Sequence, residues 1–101
     1  MDDSLAMDAV DLAAMLARRE ISAEELMQAT LARIEAVNGE VNALVSLRDT
    51  GVLLAEARAM DNGPAQGPLH GLPLAVKDLF DVAGLPTVNG SPLFGQEPAR
   101  E

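Results

Sequence analysis

A chain of 101 residues with a formal net charge of −9, 49% apolar residues and 2% aromatics is one domain at most, and its core must come from Leu, Val, Ala and Met. The acidic balance argues against direct nucleic-acid binding, which needs clustered Lys and Arg, and the absence of cysteine removes disulfides, thiolate nucleophiles and Cys-based metal sites. No apolar run approaches the ~20 residues of a membrane span, and Met1-Asp2-Asp3-Ser4-Leu5 lacks the basic region and apolar core of a secretory signal, so a soluble cytoplasmic protein is the expectation.

Residues 1–6 read as a short acidic tail. From Asp8 to Arg19 the pattern is helical: Leu5, Ala9, Leu12 and Leu16 fall at i, i+4, i+7 and i+11. Asp8 and Asp11 lie at its start and Arg18 and Arg19 at its end, which suits the helix dipole. Glu20-Ile21 is a connector. Ser22-Ala23-Glu24-Glu25 is a capping-box signature opening a second helix to about Val37. Met27, Leu31 and Ile34 form its stripe, and Asn38-Gly39 ends it. The segment 8–38 is expected to form an antiparallel helical hairpin, with Met7, Met15 and Met27 as core filler.

Val41 to Leu47 holds a short strand candidate. Asp49 or Thr50 caps a third helix with Leu53, Ala57 and Met60 on one face, and Asp61-Asn62-Gly63 stops it. The stretch from Asn62 to Gly71 holds three glycines and two prolines, so it reads as an irregular loop. Phe80 to Val82 is a second short strand candidate, Gly84 to Pro92 a turn-rich loop, and Gln96 to Glu101 the start of a helix.

The most apolar run is Gly71-Leu72-Pro73-Leu74-Ala75-Val76-Lys77-Asp78-Leu79-Phe80-Asp81-Val82-Ala83-Gly84, and it carries a lysine where a buried strand should have none. Alternation would put Leu72, Leu74 and Val76 on one face and Pro73, Ala75 and Lys77 on the other. A lysine at the C-terminal end of a strand sits where open α/β sheets place their ligands. The competing reading is a lysine whose stem packs and whose head reaches water. Adjacent strand residues point to opposite faces, so Asp78 is read as structural. His70, the single histidine, has no spaced partners for a metal site and reads as a loop residue. Thr87 and Ser91 read as turn residues.

His70-Gly71-Leu72-Pro73-Leu74-Ala75-Val76-Lys77-Asp78, followed by Asp81-Val82-Ala83-Gly84-Leu85-Pro86-Thr87 and Gly90-Ser91, resembles the amidase signature family of amidases, fatty acid amide hydrolases and A subunits of tRNA-dependent amidotransferases. The resemblance runs from about Met7 to Phe94. It implies an α/β fold in which helices pack with strands at about 43–47 and 72–77 of a larger mixed sheet. Residues 1–101 would be the N-terminal segment of a single amidase domain, with the lysine-bearing strand and turn at 72–84.

By the same resemblance Lys77 would be the lysine of a Ser–cis-Ser–Lys triad that hydrolyses a carbon–nitrogen amide bond without metal or organic cofactor. The Gly/Ser-rich segment carrying both serines comes downstream of the lysine in that family, beyond Glu101, so this chain supplies only the lysine and is expected to be inactive alone. The partner is a small-molecule amide in the full-length enzyme. A lysine acts as a base only when neutral; with a reference value near 10.4, a lowering of about 3 units costs the ammonium about 4 kcal/mol, so the site needs a closed wall. An A subunit of a tRNA-dependent amidotransferase is an alternative. A non-catalytic association module is another, since a piece of a larger fold leaves apolar surface uncovered and a homo-oligomer would cover it. Asp3-Ser4-Leu5 superficially resembles the modified tripeptide of an acyl carrier protein, but at the extreme start of the chain rather than opening an interior helix.

Overall fold

A computed structural model describes residues 3–91, 93, 95 and 97–100. A 3-10 turn, Asp3–Ala6, precedes three α-helices: α1, Ala9–Ala17; α2, Ala23–Val41; α3, Thr50–Asn62. The residues read as an acidic tail are folded in part. Ser4 is only 4% exposed, and Leu5 packs against the core. That burial removes the accessible serine on which a carrier-protein reading depends.

Each helix starts at a side-chain cap. Asp8 accepts from the Asp11 amide at 3.1 Å, Ser22 from Glu25 at 3.0 Å and Asp49 from Val52 at 3.2 Å. The capping box is complete, with the Glu25 carboxylate accepting from the Ser22 N–H at 3.1 Å. Helix α2 continues past Asn38-Gly39 to Val41, and Asn42 supplies the left-handed cap with φ 48°. Asn38 makes a different contact. Its side-chain amide donates to the Leu44 carbonyl at 2.8 Å and accepts from the Leu44 N–H at 2.9 Å.

Helices α2 and α3 run antiparallel, and this is the most extensive helix–helix contact. The end of α3 lies beside the start of α2: Arg58 Nε donates to the Glu24 carboxylate at 2.9 Å, and the Asp61 carboxylate accepts from the Ala23 and Glu24 amides at 2.7 and 3.0 Å. Arg19, held at φ 59°, donates to the Asp61 carbonyl at 3.0 Å. Helix α1 joins through a small core of Leu12, Ile21 and Leu26, with Leu5, Met7, Met15, Leu16 and Leu72 packed around it. Two of the three core-filling methionines expected from the sequence thus lie against that core.

The strands expected at 43–47 and 72–77, and the shorter one at 80–82, do not form. Among the described residues the only β-pairings are isolated bridges, Ala83 with Ala99 and Pro86 with Pro98. A strand exists only through a neighbour. Leu44 has its backbone groups taken by Asn38 instead. No segment among the described residues pairs with 72–77, and Leu74 and Val76 are 85% and 46% exposed rather than facing a shared core. At 78–80 the chain turns, with the Leu79 and Phe80 amides both donating to the Lys77 carbonyl at 2.7 and 3.1 Å. The described residues near the end are extended rather than helical, with Ala99 bonded to Gly84 and Leu85. Gln96 and Glu101, the limits of the expected final helix, lie outside the described residues, as does Phe94.

Candidate functional site around Lys77

The loop after α3 positions the run that ends at Lys77. His70 anchors that loop. Its Nδ1 accepts from the Gln66 N–H at 3.4 Å, and its Nε2 lies 3.0 Å from the Met60 carbonyl. A carbonyl can only accept, so these partners assign the proton to Nε2. His70 is therefore a loop staple, as its isolation in the sequence suggests. The next residue, Gly71, takes φ 90° and lies against Ala23 and Leu16, so the chain enters the 72–77 run tight against the start of α2. Leu72 packs on the core, and beyond it the run leaves the helical unit.

Lys77 is exposed, and no side-chain hydrogen bond or ion pair of it occurs among the described residues. The neighbouring carboxylate is turned away from it. Asp78 Oδ1 accepts from the Val88 N–H and Oδ2 from the Gly90 N–H, both at 2.9 Å. These donors, Val88 first, hold the Asp78 carboxyl below the usual aspartate range. Asp81 repeats the pattern one turn on, its Oδ1 accepting from the Thr87 hydroxyl at 2.7 Å. Val88, only 7% exposed, is the apolar pin of the same loop. Ser91 closes it, its N–H donating to the Val88 carbonyl at 2.9 Å and its hydroxyl accepting from Leu93 at 3.2 Å. Thr87 and Ser91 thus have the turn roles their sequence context predicts.

The apolar neighbours of Lys77 in sequence, Leu74, Val76, Leu79 and Phe80, are all exposed. A shallow groove of about 770 Å³ lies elsewhere, between the end of α3 and the 63–70 loop, and Lys77 does not line it. No group of three or more His, Cys, Asp or Glu side chains among the described residues could hold a metal ion. No helix among them is long and apolar enough to cross a membrane.

The contacts that sequence reasoning missed are those spanning distant residues. Asp61 was legible only as a helix stop, and nothing local marks it as the cap of α2. The Asp78 clamp had a faint signal: Asn89-Gly90 is a turn whose amides need an acceptor, and a carboxylate follows the lysine.

The sequence profile of the family named Amidase matches residues 25–101. The chain belongs to the amidase family. It is similar to the A subunit of the glutamyl-tRNA(Gln) amidotransferase of Acidothermus cellulolyticus, 47% identical over 98 residues that make up 93% of this chain and 19% of that protein. An amidase of Pseudomonas putida is 41% identical over 95 residues, 88% of this chain and 20% of the relative. An acylamidase of Rhodococcus erythropolis is 37% identical over 98 residues, 91% of this chain and 19% of the relative. The chain thus spans about a fifth of the length of the curated relatives it matches.

Proposed function

We propose that this chain is the N-terminal, lysine-bearing segment of a single α/β amidase domain that hydrolyses the carbon–nitrogen bond of a small-molecule amide in the cytoplasm. The observation that carries the reading is the family match over 25–101, which includes the whole His70–Asp78 motif and the Thr87–Ser91 loop. In this mechanism neutral Lys77 Nζ takes the proton of a cis-serine hydroxyl, and that serine takes the proton of the nucleophilic serine. The nucleophile's oxygen bonds to the amide carbonyl carbon while backbone N–H groups receive the developing oxyanion. The C–N bond then breaks, the amine leaves with a proton relayed through the same chain, and water hydrolyses the acyl-enzyme. The reading assigns neither serine to residues 1–101.

Two structural features support the assignment. Asp78 is committed to backbone amides and so does not hold Lys77 as an ion pair. Leu74, Val76, Leu79 and Phe80, near the lysine in sequence, are exposed apolar side chains, the material from which a desolvating wall is built. The decisive test is Lys77→Ala in the intact enzyme, assayed for amide hydrolysis with folding checked by circular dichroism. A folded, inactive variant is expected; near-wild-type hydrolysis would exclude Lys77 as the base.

The 47% identity to the amidotransferase protein favours a second reading, in which the acyl-enzyme is formed from an amide donor and the released ammonia is used by a partner. Ammonia transfer to an acceptor only in the presence of partner proteins, without free hydrolysis, would select it.

A further inference from the structure

We infer that Asp78 is a positioning residue for Lys77: its carboxylate clamps the Val88 and Gly90 amides and thereby fixes the end of the lysine-bearing run against the 87–91 loop. This inference rests on the reading of Lys77 as the base and extends it to a residue that would touch neither substrate nor proton.

The geometry is specific. Among the described residues the 72–77 run has no strand beside it and no ladder to hold its end. Its last fixed point in the core is Leu72, five residues before the lysine. The next fixed point is Asp78, through two bonds of 2.9 Å to amides ten and twelve residues on. The turn at 77–80 is closed by the Lys77 carbonyl itself, which accepts from Leu79 and Phe80. Asp81, bonded into the same turn, secures its far side through Thr87. The Lys77 backbone is therefore held from the Asp78 side, while its own side chain is left unengaged. A carboxylate beside a base lysine would otherwise favour the ammonium. With both oxygens occupied by N–H donors, Asp78 supplies position and is turned from the lysine.

The test uses the intact enzyme and three variants, Asp78→Asn, Asp78→Glu and Lys77→Ala, with kcat and KM measured across pH. Asn keeps one acceptor but presents an amide to the second N–H, and Glu keeps the charge but lengthens the reach. Misplacement of a reacting group by about 1 Å can cost on the order of 100-fold. For folded Asp78→Asn we expect kcat to fall on the order of 10- to 100-fold, with KM within about twofold. Asp78→Glu should be intermediate. The sign of the pH effect separates the roles. A loosened lysine meets more water, its charged form gains, and the acid limb of kcat/KM moves to higher pH. A direct charge partner gives the opposite shift, because removing a carboxylate disfavours the ammonium. A purely structural residue lowers the active fraction and leaves the limb in place.

An alkaline shift with a kcat effect supports the inference. An acid shift, an unmoved limb or wild-type kcat overturns it, as does loss of the fold in both Asp78 variants. If Lys77→Ala stays active, the base assignment itself fails. If Lys77→Ala is inactive while Asp78→Asn behaves as wild type, only the positioning role fails.

Discussion

Replacing Asp61 by Ala tests how the helical unit is joined. Helix α2 begins with four backbone donors that its own turns cannot satisfy in full, and side chains meet every one. The Ser22 N–H is taken by Glu25, Ala23 and Glu24 by the two oxygens of Asp61, and Glu25 by the Ser22 hydroxyl. Leu26 already bonds back to the Ser22 carbonyl. Asp61→Ala therefore strips two donors at once, across 37 and 38 residues of sequence. Hydrogen bonds to a charged group contribute about 1.5–3 kcal/mol each, which sets an upper limit of roughly 6 kcal/mol on the loss. Water can replace part of it at Glu24, which is half-buried, but Ala23 is only 3% exposed, so its N–H would remain largely unpaired. The expected cost is about 2 kcal/mol, a fall in melting temperature on the order of 10 °C. Ser22→Ala removes one local bond and should cost about 1 kcal/mol. Urea unfolding of both variants, followed by circular dichroism at the helix band, makes the comparison. If Asp61→Ala costs less than Ser22→Ala, the distant carboxylate is not what completes the start of α2, and the account of how α3 is docked is wrong.

Three further outcomes follow from the same contacts. The Asp78 carboxyl is depressed by its amide donors, so what it contributes to the fold is fully present above the unfolded value of about 3.9 and is lost as pH falls through the lower folded value. The Val88 and Gly90 amide resonances should hold steady down to about pH 4 and move only below it; a transition centred above that would contradict the clamp. Gly71→Ala should destabilise by about 1–2 kcal/mol, because φ is 90° and the new Cβ would meet the Ala23 Cβ at 3.3 Å; a thermal melt at the wild-type temperature would refute this. Arg48 and Glu56 pair at the surface through two bonds of 2.8 and 2.6 Å; Arg48→Gln should shift the urea midpoint only slightly, and about 1 M NaCl, where the Debye length is near 3 Å, should erase the difference.

Much of the helical part was legible in the sequence because its signals are local. The Ser22–Glu25 box, Asp8 and Asp49 act within four residues, and a cap needs no knowledge of the rest of the chain. The end of α2 was misplaced because Asn38-Gly39 carries a stop signal, yet the Asn38 side chain is engaged with Leu44 and Asn42 takes the left-handed position instead. The Asp61 cap was invisible because it depends on how α3 docks. The strand expectations failed for a related reason. Apolar alternation at 72–76 states which faces would be buried, but pairing is a property of two segments, and no second segment among the described residues pairs with this one.

Lys77 shows the same division at the level of chemistry. Its place in the chain could be read from Gly71 to Asp78, since the motif is contiguous. A base lysine needs two things, a fixed position and a dry surround. The described residues supply the first through Leu72 on one side and the Asp78 clamp on the other. The second requires that Leu74, Val76, Leu79 and Phe80, all exposed, be covered together with the lysine. On the proposed reading, a surface that packs on those four exposed side chains would also close over the end of this run. Polar substitutions at Leu74 or Phe80 should lower kcat along with stability, even though neither side chain takes part in the proton relay.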